Sequence, residues 1–347
     1  MVSSVSLANF RSYARLELSL GPGLVLAVGP NGAGKTNLLE SLHVGTQGFS
    51  PRTRSDGELI RFGSTAAQIR LEGARGRVPV RIGVSLSTVA GKRAELDGTR
   101  LRAAEQLRRE TATLVFTPDR LAIVKAGPAS RRAYFDRSLG RVLPARGSLP
   151  ADYAAALAQR NAALKRGERD VIAPWTAQVA SLGAALVESR VELLGLMERA
   201  FAEFAGRLGL PEARLAYEGE PPSEAALEAK LEHDLDRGST GLGPHLHDVS
   251  VASATRDLRA FGSQGEQRTA VLALILAEAR LITERRGEPP LLLLDDVLSE
   301  LDPGRRRVLV QEIQDRGQTV VTATTADALP GEPAQLLEVS PGRVVLG

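Results

Sequence analysis

The octapeptide GPNGAGKT at residues 29–36 fits the pattern GxxxxGK[ST], and the chemistry of that pattern is phosphate binding. Gly29, Gly32 and Gly34 let successive backbone N–H groups turn toward an anion, Lys35 can reach the outer phosphate oxygens, and Thr36 offers a hydroxyl to magnesium. Pro30, Asn31, Ala33 and the following Asn37 complete the expected nucleotide cradle. Such a loop works only between a strand and a helix, and LVLAV at 24–28 and LLESLHVG at 38–45 supply both. LLLLDD at 291–296 is a second signal, a buried strand that ends in two carboxylates. Beside a phosphate loop, Asp295 is expected to hold magnesium together with Thr36, and Asp296 to face the γ-phosphate at the strand tip. The third signal is FGSQGEQR at 261–268, a turn leading into the apolar helix TAVLALILAEARLI. Ser263, Gln264, Gly265 and Glu266 at that helix start form a candidate second anion site, whose bland alternative is a simple N-cap.

These residues need a scaffold, and the hydrophobic pattern supplies an α/β one. VSSVSLA, RLELSL and LVLAV alternate as strands, and further strand-like stretches occupy 66–72, 78–86 and 112–116. From about Pro118 the pattern turns helical. Trp175, Val179, Leu182, Leu186, Leu193, Met197, Phe201 and Phe204 form one stripe on a helix of about eight turns. GEPPSE at 219–224, a short amphipathic helix and GSTGLGPH at 238–245 close that segment. Strands then recur at LLLLD, QTVVTA, QLLEV and RVVLG, with a helix from about Pro303. The expected architecture is a head domain from residues 1–121 plus 241–347, interrupted by a helical insertion at 122–240.

Composition narrows the partners. The 347 residues contain no cysteine, which excludes disulfides, zinc ribbons and hooks, iron–sulfur clusters and thiol nucleophiles. No apolar run approaches a membrane span, and MVSSVSLANFRSY lacks a charged start followed by an apolar core, so the cytoplasm is the expected address. The net charge of +3 hides an asymmetry: residues 1–150 carry 23 Lys+Arg against 11 Asp+Glu, whereas the remainder is acidic. Aromatic residues make up 4% of the chain, which argues against base stacking on an aromatic platform as the main mode of contact. Arginine-based contact with a duplex backbone is better supplied, with Arg52, Arg54, Arg131 and Arg132 as candidates and Arg11 reserved for the nucleotide. The bland alternative for each is a solvated surface arginine.

The order phosphate loop, Ser-x-Gly helix start, LLLLDD and then SELD at 299–302 is that of ATP-binding-cassette ATPases, in which two heads sandwich two ATP molecules. NFRSY at 9–13, RTRSDGELIRFG at 52–63, PDRLAIVKAGPASRRAYFD at 118–136 and GPHLHD at 243–248 sharpen this, and the set resembles the RecF family of recombination and repair ATPases related to the structural-maintenance-of-chromosomes proteins. The resemblance implies an ABC-type ATPase head, a P-loop NTPase with a mixed sheet and an inserted helical lobe. It further implies ATP and Mg2+ as ligands, Asp296 as general base with Lys35 as its catalytic companion, and slow DNA-stimulated ATP hydrolysis. ATP-dependent homodimerisation, binding to duplex DNA near single-strand junctions, and cooperation with RecR and RecO in loading RecA follow from the same likeness.

The sequence departs from the cassette pattern twice. Asp119 stands near the place of the usual glutamine before the helical lobe, and VVTATTAD offers Thr322, Thr324 and Thr325 where a switch histidine is expected. His245 and His247 lie instead in GPHLHD, and without a third ligand they are read as structural. Two competing functions are weighed against an ATP-operated DNA clamp. One is a structural DNA tether that binds nucleotide but does not depend on ATP turnover; its long-range form would need an extended coiled coil that an insertion of about 120 residues with one long helix cannot make. A transporter motor would need a membrane partner, and the basic first half speaks against it.

Overall fold

The structure is a computed structural model and describes every residue but Asp315, together with all side chains except those of Glu105 and Arg109. From the N-terminus run β1 (Val2–Phe10), β2 (Tyr13–Ser19), β3 (Leu24–Val28), α1 (Lys35–Gln47), β4 (Ala66–Arg75), β5 (Val78–Ser87), β6 (Gly91–Leu96), β7 (Thr99–Arg100) and β8 (Thr113–Phe116). The middle holds α2 (Ala122–Lys125), α3 (Pro128–Val142), α4 (Leu149–Arg166), α5 (Arg169–Arg207), β9 (Ala213–Glu218), α6 (Glu224–Ala229), α7 (Leu231–Arg237), β10 (Asp248–Ser253), β11 (Arg256–Asp257), α8 (Leu258–Phe261) and α9 (Gln264–Arg286). The chain closes with β12 (Leu291–Leu294), α10 (Pro303–Ile313), β13 (Thr319–Ala323), β14 (Gln335–Ser340) and β15 (Arg343–Leu346).

Two compact units result. The first comprises residues 1–120, 207–209 and 282–347, and the second 121–206 and 210–281. The hydrophobic pattern sets the boundaries at 121/122 and 240/241, so the second division falls about forty residues later than expected. The reason is a strand pairing that periodicity does not show. Within the second unit β10 pairs antiparallel with β9 from Asp248↔Glu218 to Ser253↔Ala213, which draws residues 248–257 into the sheet β11-β10-β9.

The first unit has two sheets. One is antiparallel, in the order β2-β1-β4-β5-β6-β7, and the other is mixed, in the order β15-β14-β3-β13-β12-β8. In the mixed sheet β14, β3, β13, β12 and β8 are parallel, and only β15 runs against its neighbour. A parallel strand is covered on both faces and reads as a continuous apolar run, which is why LLLL of β12 is buried at all four positions. Phe10, Leu38, Leu42, Ile69 and Leu293 belong to one apolar cluster that joins α1 to the strands of both sheets.

In the second unit the predicted stripe is real. α5 spans 39 residues, and Val179, Leu186, Leu193, Met197, Phe201 and Phe204 are buried along it. β9 was not anticipated, since it lies in a stretch read as helical, although its alternating burial has the period of a strand. Among the described residues no helix is long and apolar enough to cross a membrane.

Candidate nucleotide site

The site is assembled at the carboxyl ends of β3, β13 and β12 in the first unit. β3 runs into the phosphate loop, whose crown of Pro30, Asn31 and Gly32 is exposed while Ala33, Gly34 and Lys35 are buried. Two glycines are dictated by space. A Cβ on Gly29 would stand 2.2 Å from the Val339 carbonyl oxygen of β14. Gly34, at φ +109°, turns its missing Cβ toward Ser12 Oγ and Tyr13 Oη, each 3.0 Å away. The Tyr13 hydroxyl donates to the Gly34 carbonyl at 3.0 Å and braces the turn from behind. Lys35 Nζ donates to the carbonyls of Gly29 and Pro30 at 2.6 and 3.0 Å, so its ammonium lies across the mouth of the loop.

β13 lies between β3 and β12, which puts Thr322 between the loop and the carboxylates. Thr36 Oγ1 donates to Asp295 Oδ2 at 2.8 Å, and Thr322 Oγ1 donates to Asp295 Oδ1 at 2.7 Å. The Thr322 hydroxyl also accepts from the Asp296 N–H at 2.9 Å, so one side chain holds the Asp295 carboxylate and the Asp296 backbone. Burial pushes the Asp295 carboxyl above the ordinary aspartate range; the hydroxyls of Thr322 and Thr36 pull it back, Asp296 raises it and Arg52 lowers it. Asp296 itself adopts φ +50°, and its Oδ1 is buried without a hydrogen-bond partner. A left-handed aspartate with an orphaned oxygen is an unfavourable arrangement, and such strain concentrates at functional sites.

A shell of polar residues surrounds α1. Glu40 is fully buried and accepts from Arg11 Nε and Nη2 at 2.8 and 2.9 Å, from Ser50 Oγ at 2.6 Å and from Arg52 Nη1 at 3.3 Å. Arg11 Nη1 donates to the Glu58 carbonyl, so the guanidinium expected to meet the nucleotide is engaged within the protein. Arg52, expected on a DNA face, instead pairs with Glu40 and lies near enough to Asp295 to influence it. Glu40 is not singled out by the sequence, and Thr322 is read there only as a hydroxyl in the place of a switch histidine, not as a partner of Asp295. The signal for Glu40 was its position five residues after Lys35, one turn and a half along a helix that starts there.

The remaining candidates divide cleanly. Arg54 is exposed, as a backbone-contacting arginine must be. Arg131 is a correction: it is buried in the second unit, pairs bidentately with Asp248 at 2.7 and 2.5 Å and donates to the carbonyls of Val124 and Ala126. Arg132 is half-buried and donates to the His247 carbonyl at 2.5 Å. The Arg131 guanidinium, held this way, supports a loop and does not face a phosphate, whereas Arg132 engages one guanidinium nitrogen there. Ser263 and Glu266 form a capping box at the start of α9, with Glu266 Oε2 accepting from the Ser263 N–H at 2.8 Å and Ser263 Oγ from the Glu266 N–H at 3.2 Å. The Glu266 carboxylate also pairs with Arg256 at 3.0 Å. Asp119 is exposed in a single turn after β8, at the same sheet end as Asp295, and Thr324 and Thr325 are exposed beyond β13. His245 bridges Tyr153 Oη and the Thr240 carbonyl, and His247 meets Tyr217 Oη.

With this geometry in place, comparison with known proteins is decisive. The family model described as RecF/RecN/SMC N terminal domain matches residues 1–341. The DNA replication and repair protein RecF of Anaeromyxobacter dehalogenans (strain 2CP-C) is 39% identical over 331 residues, covering 88% of this chain and 87% of that one. The RecF of Bacillus cereus (strain B4264) is 32% identical over 369 residues and covers 99% and 98%. The chain belongs to the RecF family.

A solved structure described as the recombination mediator protein RecF-ATP in RecFOR pathway matches this RecF-family chain with a TM-score of 0.87 at 26% identity, covering 100% of it and 97% of the solved chain. An Smc head bound to the C-winged helix domain of ScpA matches with a TM-score of 0.62 at 16% identity over 100% and 96% of the two chains, a likeness of fold alone. The fold is thus the ABC-type head expected from the motifs. The cluster in hand fits a divalent cation: Thr36 and Asp295 present hard oxygen donors side by side, and the orphaned Asp296 oxygen is unsatisfied without a further group.

Proposed function

We propose that this RecF-family chain binds ATP with Mg2+ and acts in DNA replication and repair as an ATP-operated dimeric clamp on duplex DNA near single-strand gaps and junctions. One observation carries the reading, the cluster in which Thr36, Thr322 and the two carboxylates meet at the end of the phosphate loop. In this reading the loop amides and Lys35 hold the triphosphate, and Thr36 with Asp295 holds the cation. That cation neutralises phosphate charge and withdraws electrons from the leaving group. Asp296 orients the attacking water and accepts its proton. Ser263, Gln264 and Gly265 of a second copy close over the same nucleotide, because a helix start offers N–H groups and a positive dipole end to the γ-phosphate. Hydrolysis, slow and stimulated by DNA, reopens the clamp. RecR, RecO and RecA are the partners through which it promotes RecA loading in recombinational repair, replication restart and the SOS response.

Sedimentation with ATP, ADP or no nucleotide, each with and without duplex DNA, tests this. ATP alone among the nucleotides is expected to give a dimer, and Ser263→Arg to keep ATP binding while losing it. A dimer independent of nucleotide, or a monomer under all conditions, would refute the clamp.

A further inference from the structure

Phe62 is fully exposed, on a hydrogen-bonded turn. Ser64 N–H donates to the Arg61 carbonyl at 2.9 Å, and Gly63 has φ +81°, so Phe62 occupies the second position of a β-turn that requires glycine at the third. Both shoulders are tied down. Arg61 N–H donates to the Asn9 carbonyl at 2.8 Å and Arg61 Nη1 to the Ser12 carbonyl at 2.7 Å, while Thr65 accepts from the Thr88 N–H at 3.0 Å. That last bond joins the turn to its neighbour at the same end of β4 and β5, where Val89 is also almost fully exposed. Ser12 accepts from Asn37 Nδ2 of α1 at 2.9 Å, so this apolar tip is rooted one residue from the phosphate loop. Arg54 is exposed in the preceding loop, which also exposes Glu58, and Lys92, following the second turn, pairs with Asp56 at 3.2 Å; the half of the chain that holds them carries 23 basic residues against 11 acidic ones.

We infer that Phe62, flanked by Val89, stacks on the exposed terminal base pair where duplex DNA meets a single strand. The inference rests on the duplex-clamp reading and adds to it the residue that tells a junction from continuous duplex. Exposed apolar side chains are common, but an aromatic presented at the tip of a hydrogen-bonded turn, in the half of the chain with an excess of basic residues, suits a base face. Within continuous duplex an inserted ring must first unstack a base step, whereas at a junction one face of the last pair is already open. The stacking is therefore selective for junctions without reading sequence.

The test compares the intact protein with Phe62→Ala and Phe62→Trp, in ATP at fixed salt. One substrate is a duplex capped by hairpins at both ends, and the other is the same duplex with a recessed end bearing 2-aminopurine at the last pair. Phe62→Ala is expected to bind the recessed substrate about tenfold more weakly, to bind the capped duplex as wild type does, and to lose the 2-aminopurine fluorescence change. Phe62→Trp is expected to retain all three properties, and the salt dependence is expected to be unchanged because no phosphate contact is removed. Junction preference surviving in Phe62→Ala, equal weakening on both substrates, or loss of the ATP dimer, which would place Phe62 between copies of the chain, overturns the inference and leaves the clamp reading standing. A wild type that binds capped duplex with no junction preference overturns the inference and the junction part of the proposed function, and leaves a duplex clamp standing. No DNA binding by the wild type overturns the clamp reading and this inference together.

Discussion

Asp295 and Asp296 are neighbours of identical chemistry that the fold places in different surroundings. Asp295 is buried under two hydroxyls, and Asp296 turns through φ +50° with one oxygen unsatisfied. Removing charge from each is therefore expected to do different things. Asp296→Asn keeps the shape, and asparagine tolerates the left-handed conformation, so ATP affinity is expected to stay near normal while turnover falls by about two orders of magnitude or more. Asp295→Asn is expected to lose magnesium-dependent ATP binding itself. Paired measurements of ATP affinity and turnover decide the point, and full turnover in Asp296→Asn would shift the role to a group such as Glu300. Glu40 acts at the same scale. Its carboxylate is enclosed by Arg11, Arg52 and Ser50, so Glu40→Ala leaves a bidentate guanidinium uncompensated. Urea unfolding is expected to show a loss of about 3 kcal/mol, with a smaller loss for Glu40→Gln.

At the scale of elements, the GPHLHD loop of the second unit is held by a set of arginines. Arg131 pairs with Asp248, Arg132 caps the His247 carbonyl, and Arg190 joins Asp136 to the Pro244 carbonyl. Arg131→Ala is accordingly expected to destabilise that unit by about 3–5 kcal/mol, since it strands a partly buried carboxylate, and denaturation is the measurement that shows it. The loop's histidines add a pH dependence. Burial, the larger cause, and nearby arginines hold His245 and His247 below the ordinary histidine range. Between the lowered folded value and about 6.5 the unfolded chain binds more protons, so stability is expected to fall as pH drops below about 6.5. Thermal unfolding against pH checks this. His245→Asn flattens the slope if the sign is right, and a stability that rises on acidification would show it to be wrong.

For the whole molecule the decisive quantity is the asymmetry of charge. The basic half contains the phosphate loop and the exposed Arg54, and a duplex held by such charges is released as salt rises. Each lost phosphate contact is expected to flatten the log–log salt slope by about 0.9, so Arg54→Ala should show that change across unrelated duplex sequences. An unaltered slope and affinity would mean that Arg54 contacts only water.

What the sequence determined by itself was whatever depends on neighbours in the chain. A glycine-rich turn between an apolar strand and a helix encodes its own backbone, so the phosphate loop and the strand ending in Asp295 and Asp296 are legible in the sequence alone. The stripe along α5 was legible for the same reason, since a helix repeats its environment every few residues. Only the tertiary structure could decide which arginines face solvent. Arg131 and Asp248 are 117 residues apart in sequence, and nothing local to RRAYFD announces that a carboxylate will arrive there. The same holds for Thr322, whose hydroxyl matters because β13 pairs between β3 and β12, and for Phe62, whose apolar side chain stays outside because hydrogen bonds from distant strands fix its turn. Local conformation follows from residue types, whereas burial and partnership follow from pairings between distant segments, and those are decided only when the chain folds.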